Sequence, residues 1–323
     1  MTPVDLSRTV CQAVRRAVDG GELAVAVPVR VLVERTRPGG RGDYATNVAL
    51  QLARPAGRPA RQVAEILRHR LIGTPGLAGV DITGPGFLNL TLDPTATTGL
   101  VAEILRQGTR YGYGDTLDGQ AGGGQVGALP APHPHGTRAQ VIADALSRII
   151  ASQSGQSGSL HELPGDGDGD GDEVLLWSLL HPAPHDRPHP LADLLVQRES
   201  NPLFRVRYAH SRTRALTREA ARLGFTSTPD STEPAGSGLL QVLAEYPLVL
   251  QAAARHHSPD RLARHLVLVA DAFLRFHAEV SVLPVGDEKP LAAHRARLAL
   301  AEAAGAVLAG GLDLLGMHAP EHL

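Results

Sequence analysis

Residues 165–172 read Gly-Asp four times in succession, and no buried layer can be built from such a run. Glycine loses the most backbone freedom on ordering, and closely spaced aspartates repel one another. Ser/Gly-rich sequence leads into the repeat from Ile150, and Gly119–Gly127 is a further glycine-rich stretch. A chain interrupted in this way is expected to fold as two pieces, one on each side of a flexible linker. With 323 residues there is room for two modest domains. The acidic run imitates the start of a calcium loop at Asp166, Asp168 and Asp170. A loop from Asp166 would need a glutamate where Trp177 stands, and one from Asp168 where Leu179 stands.

The two pieces have different hydrophobic periods. Residues 4–18 carry Val4, Leu6, Val10, Val14 and Val18 near helical spacing, closed by Gly20-Gly21. Leu23–Glu34 is valine-rich and reads as one long strand or two short ones. Helices are expected from Val48 and over Ala60–Leu71. Strands follow at Val80–Thr83 and Phe87–Leu92, then a helix from Pro94 to Gln107 entered after Asp93. Residues 1–113 therefore predict a small α+β domain. From Leu239 the pattern is helical to the end, with helices split at Ser258-Pro259 and a last pair broken at Gly310-Gly311. Leu262, Leu266, Val269, Phe273 and Phe276 fit one buried face. Residues 172–323 thus predict an all-α bundle, with 114–171 as a Gly/Asp-rich linker holding one helix over Thr137–Ile150.

Charge narrows the function classes. The formal net charge is −2 and the pI about 6.7, so any polyanion must meet a local patch. Such patches exist. Nine arginines (30, 35, 37, 41, 54, 58, 61, 68 and 70) fall between residues 30 and 70, against Glu34, Asp43 and Glu65. Six more (205, 207, 212, 214, 218 and 222) fall between residues 205 and 222, against Glu219 alone. The second group lies on a helix opened by Asn201-Pro202, and Arg214, Arg218 and Arg222 recur every four residues as one stripe. Tyr208 is four residues before Arg212. Cations beside an aromatic suit a phosphate backbone with unstacked bases, although a charge run is also an ordinary solvated face. Cys11 is alone, which leaves no disulfide or cysteine-based zinc site. His181, His185 and His189 are spaced like metal ligands on a helix, but Pro182, Pro184, Pro188 and Pro190 forbid that helix. No apolar run approaches the ~18 residues of a membrane span, and the first residues lack a signal-peptide core. A cytoplasmic protein without membrane contact, cofactor or metal is expected.

Several stretches resemble the arginyl-tRNA synthetase family. DYATNVALQLA, GRPARQVAEIL, GPGFLNLTL and YGYGD are similar, in order and spacing, to its N-terminal additional domain. NPLFRVRYAHSR resembles the opening of its DALR anticodon-binding domain. LAEYP, DRLARHL and the final HRARLALAEAAGAVLAGGLDLLGMHAPEHL continue it, with the name motif at Arg297–Leu300. In that family the residues after Gly-Pro-Gly read a D-loop base, which implies such roles for Phe87 and Asn89. Alternation puts 87 and 89 on one strand face, where an aromatic could stack on a base while an amide pairs with its edge. The resemblance likewise implies that Tyr208, His210, Arg212, Arg214 and Arg218 meet the anticodon stem-loop.

Between the two domains the family has a class I nucleotide-binding fold. Only a remnant of its signature appears here. His133, His135 and Arg138 precede Asp144-Ala145-Leu146, but His135 stands where the family has glycine and Gly136 where it has the second histidine. Too few residues remain for an alternating parallel sheet, and the only lysine is Lys289. The expected function is non-catalytic tRNA binding, with tRNA-Arg the expected species, in an accessory or regulatory role. Two other classes stay open. One is residual or assisted arginine–tRNA ligase activity. The other is a protein-interaction module for a synthetase or a tRNA-modifying enzyme.

Overall fold

The computed structural model describes residues 2–36, 41–93, 95–114, 137–154, 170–183, 185–229 and 236–323. His133, His135, Arg37 and most of the Gly-Asp run lie outside them. The chain divides into two compact units, Met1–Leu100 and Val101–Leu323.

The first unit opens with helix α1 (Pro3–Asp19). Thr2 and Asp5 close a reciprocal capping box and Pro3 occupies the first turn, where its missing N–H costs nothing. Four short strands follow: β1 (Glu34–Arg35), β2 (Tyr44–Thr46), β3 (Leu77–Thr83) and β4 (Phe87–Leu92). They form one antiparallel sheet in the order β1-β2-β4-β3. Helices α2 (Val48–Ala53) and α3 (Ala60–Leu71) lie between β2 and β3 in sequence. Leu6, Val10 and Val14 of α1, Val63 and Leu67 of α3, and Leu88 and Leu90 of β4 meet in one core.

Neither the one long strand nor the two short ones expected over Leu23–Glu34 form; only Glu34 and Arg35 pair in the sheet. Within this segment the backbone of Val31 bonds to a side chain instead. Ser7 donates its hydroxyl to the Val31 carbonyl at 2.6 Å and accepts from the Val31 N–H at 3.3 Å. Val31 and Val33 are buried while Val29 is fully exposed, so the valines anchor a connector and do not fill a sheet face.

The second unit is helical. Helix α4 (Thr95–Gln107) carries the boundary, and a 3-10 turn at Gly108–Arg110 follows. Then come α5 (Arg138–Ser152), α6 (Asp170–Leu180), the single turn α7 (Leu191–Leu194), α8 (Pro202–Arg222), α9 (Ser237–His256), α10 (Asp260–Glu279) and α11 (Ala292–Leu314). Helix α10 packs against α8, α9 and α11 through Leu262, Leu266, Val269, Phe273 and Phe276, all buried as their spacing requires. Helix α5 is docked through Val141, Ala145 and Ile149, and the buried Arg148 donates Nε to the Leu314 carbonyl at 3.0 Å. The end of the Gly-Asp run is ordered too, because Asp170–Asp172 forms the first turn of α6. Acidic residues there suit the positive end of the helix dipole.

The split expected at Ser258-Pro259 forms between α9 and α10, with Pro259 directly before the first residue of α10. One expected boundary does not form. Gly310-Gly311 does not break the last helix, which runs through both as α11. These glycines are where neighbours come closest, since a Cβ on Gly310 would collide with the Thr109 carbonyl and one on Gly311 with the Leu266 side chain.

Candidate nucleic-acid interface

In the first unit the candidate surface forms where the β3–β4 turn meets the start of α3. Gly86 has φ +145°, and a Cβ there would lie 3.0 Å from the Ala60 carbonyl carbon and oxygen. Only glycine permits that approach. Phe87 and Arg61 are the next residues along their own segments from this contact. Phe87 is 40% exposed, unusual for a large aromatic at the start of a strand. Arg54 and Arg58 are exposed on the connector after α2, and Arg61 is exposed on α3. Asn89 differs from the expectation of an outward-facing reader. It is only 6% exposed, and its amide donates to the Thr83 hydroxyl at 2.7 Å. The paired strand supplies the partner that a buried amide needs, so Phe87 and Asn89 share a strand face without sharing its exposure. Arg68 and Arg70 are committed to the fold: Arg68 donates to the Val80 carbonyl at 3.1 Å and Arg70 pairs with Glu22 at 3.0 Å.

In the second unit the cations are carried by α8. Asn201 caps it, accepting from the Leu203 and Phe204 N–H groups and donating to the Leu194 and Val196 carbonyls. This explains locally why the helix starts at Pro202. Tyr208 is 43% exposed and stacks on Phe204, with ring centroids 5.7 Å apart. The arginines are engaged within the protein. Arg205 pairs with Asp271 at 2.8 Å, and Arg207 lies 3.7 Å from Glu173. Arg212 donates to His277 Nε2 at 2.8 Å, and Arg222 pairs with Glu219 one turn back. Arg214 and Arg218 both hold Glu321.

His210, expected at the anticodon, is buried at 4% exposure and donates Nδ1–H to the Pro320 carbonyl at 2.9 Å. It secures the last residues of the chain, which fold back along α8. The same segment is held at His318, whose backbone N–H and ring Nδ1 both contact Glu173 Oε1, at 2.8 and 3.0 Å. Periodicity drew the arginine stripe correctly but could not show its acidic partners. Asp271, Glu173 and Glu321 lie far from α8 in sequence, and only tertiary folding brings them there.

Arg138, the described part of the signature remnant, has a structural role. Its guanidinium donates to the carbonyls of Leu179, Pro182, Ala183 and Asp186 and fixes the turn after α6. Across that turn His181 and His189 meet at 2.8 Å, with His181 stacked on the buried Trp177. His185 is apart, 85% exposed. Among the described residues no group of three metal-ligating side chains forms, and no helix is long and apolar enough to cross a membrane.

Partly buried imidazoles set a pH dependence. Burial, then the neighbouring His189, Arg264 and Arg205, push His181 from the ordinary 6.5 down to about 4. Burial also lowers His210 and, with Arg212 adding to it, His277. The unfolded chain therefore takes up these protons first as pH falls below 6.5, and stability present at neutral pH is lost towards pH 4. Glu22, Glu103 and Glu321 are lowered below the ordinary 4.5, so their loss comes later. Asp313, raised above 3.8 by burial, opposes the trend. The melting temperature should fall by roughly 5 °C between pH 7 and pH 5. His181→Asn should flatten that fall, as scanning calorimetry at several pH values would show.

Comparison with known proteins finds a match to part of each unit. Residues 5–92 match the arginyl tRNA synthetase N terminal domain, and residues 206–323 match the DALR anticodon binding domain. The arginine–tRNA ligase of Renibacterium salmoninarum is 26% identical, in an alignment of 549 positions spanning 100% of both chains. Since this chain has 323 residues, a large internal block of that relative has no counterpart here. The arginine–tRNA ligase of Micrococcus luteus is 43% identical over 158 residues, 46% of this chain and 28% of the relative. Among solved structures, arginyl-tRNA synthetase from Thermus thermophilus superposes with a TM-score of 0.64 at 14% identity, covering 100% of each chain. That from Plasmodium falciparum gives 0.61 at 10% identity, covering 99% of each. At those identities the likeness is one of fold.

Proposed function

From a chain that is arginyl-tRNA synthetase-like, joining that enzyme's N-terminal domain to a DALR anticodon-binding domain, we propose a tRNA-binding protein that does not activate an amino acid. The observation that carries this reading is the shortened middle. Both tRNA-facing domain types are present, while a large internal block of a full-length ligase has no counterpart. Phe87 gives the first unit an exposed ring on which a base can stack, and Arg58 and Arg61 flank Ala60, which Gly86 approaches, to meet phosphates. Tyr208 on Phe204 gives the second unit a comparable platform. Arg212, Arg214 and Arg218 line the same helix. The remnant Arg138 serves carbonyl groups of its own fold, which leaves it little capacity for a nucleotide.

The bound species is tRNA-Arg, and the role is accessory or regulatory in translation. The test is crosslinking in cells followed by sequencing of RNA recovered with the full chain. tRNA-Arg isoacceptors should be enriched above all other RNA, and recovery no different from an unrelated protein overturns the proposal. Purified chain should likewise show no arginine-dependent ATP–pyrophosphate exchange; exchange above background would favour the ligase reading.

One observation favours a partner protein in addition. Leu191, Leu195 and Val196, around α7, are exposed together at 43%, 61% and 46%. Such an apolar cluster suits docking to a synthetase or a tRNA-modifying enzyme. Copurification of such a protein after RNase treatment would support it, and its loss with the RNA would remove it.

A further inference from the structure

The Glu321 side chain is placed as a ligand would be. Arg214 Nε lies 2.9 and 3.0 Å from its two carboxylate oxygens, and Arg218 Nη1 is 3.2 Å from Oε2. Arg218 also donates to the Glu321 carbonyl from both terminal nitrogens, at 3.3 Å each. Two guanidinium groups one helical turn apart, converging on one anion, form the geometry in which arginine takes a phosphate. The bay is open to water: the Arg214, Arg218 and Glu321 side chains are 46%, 35% and 54% exposed. An ion pair so exposed contributes little, and another anion can replace it at small cost.

The tail does not depend on this pair for its position. His318 is fixed by the buried Glu173, and Pro320 by the buried His210. Anchor and anion are thus separate groups of one segment: His318, Pro320 and the Glu321 carbonyl hold the tail, and the Glu321 side chain fills the bay. We infer that the Arg214–Arg218 bay is a phosphate subsite in which Glu321 is a resident substitute, exchanged for a backbone phosphate when RNA binds. This rests on the tRNA-binding reading for its natural ligand, and on the geometry alone for its chemistry. The bound Glu321 carboxylate makes two arginines unavailable to solution counterions in the free protein. Exchange therefore releases fewer counterions than two bare arginines would.

The experiment uses full-length protein in two arms. In the first, labelled tRNA-Arg transcript is titrated against wild type, E321Q and E321D across a salt series. E321Q should bind about fivefold tighter at low salt, with a salt slope steeper by about one counterion, and E321D should behave as wild type. In an Arg214→Ala/Arg218→Ala background E321Q should have no further effect. Unchanged or weaker tRNA binding by E321Q, with wild type binding normally, overturns the exchange. In the second arm, inorganic tripolyphosphate is titrated calorimetrically. E321Q should bind it several-fold tighter than wild type, and equal binding overturns the subsite. Should neither protein bind tRNA while tripolyphosphate still prefers E321Q, the subsite stands and the tRNA reading falls.

Discussion

Gly310→Ala should destabilise the helical unit by about 3 kcal/mol, although alanine is the better helix former by ~1 kcal/mol. The reason is which atom stands opposite. A Cβ on Gly310 falls well inside contact distance of the Thr109 carbonyl oxygen, 3.0 Å from its carbonyl carbon and 3.2 Å from its Cα. These are backbone atoms of the 3-10 turn, and unlike a side chain they cannot rotate away. Either the turn leaves α11 or the helix bends, and each uncovers core. Gly238, early in α9, is the internal control. Nothing lies within 4 Å of a Cβ there, so Gly238→Ala should stabilise by ~0.5–1 kcal/mol. Urea denaturation of both variants, read as a shift of midpoint at unchanged slope, checks the pair. A neutral Gly310→Ala would mean that the turn does not seat on α11 as described.

The second large effect belongs to the first unit. Combining Phe87→Ala with Arg58→Ala and Arg61→Ala should weaken tRNA binding by about 100-fold at low salt. A base losing its aromatic platform forfeits ~1–3 kcal/mol, and each lost phosphate contact flattens the salt slope by about one. Phe87→Tyr keeps the ring and should bind nearly as wild type. Because Phe87 is 40% exposed and both arginines are exposed, thermal stability should be little changed, which separates a binding defect from unfolding. Anisotropy titrations at several salt concentrations measure both quantities. Triple-variant affinity within twofold of wild type would remove this surface from the interface. Asn89→Ala should instead act on stability, since its amide is buried against Thr83.

The elements legible in the sequence were those fixed by local chemistry. The cap at Asn201 with Pro202 behind it, the apolar face of α10 and the stripe of arginines on α8 all follow from residues within a turn or two of one another. What escaped was set by distant neighbours. Gly310-Gly311 looks like a helix stop in isolation, yet here it makes room for Thr109 and Leu266. Leu23–Glu34 has strand composition, but at Val31 Ser7 takes both backbone bonds. The candidate site shows the same division. The helical spacing of Tyr208 and the α8 arginines is local, whereas the burial of His210 and the docking of Glu321 depend on contacts more than a hundred residues apart in sequence. The tail sequence HAPEHL carried that information only as an acid, about a hundred residues from the arginines it meets.

The most direct test is equilibrium binding of the purified chain to a tRNA-Arg transcript between about 50 and 200 mM salt. Saturable binding at the lower end that weakens log-linearly as salt rises is expected, with tRNA-Arg preferred over an unrelated tRNA. No binding at the lower end, or binding that ignores salt, would contradict the tRNA-binding proposal.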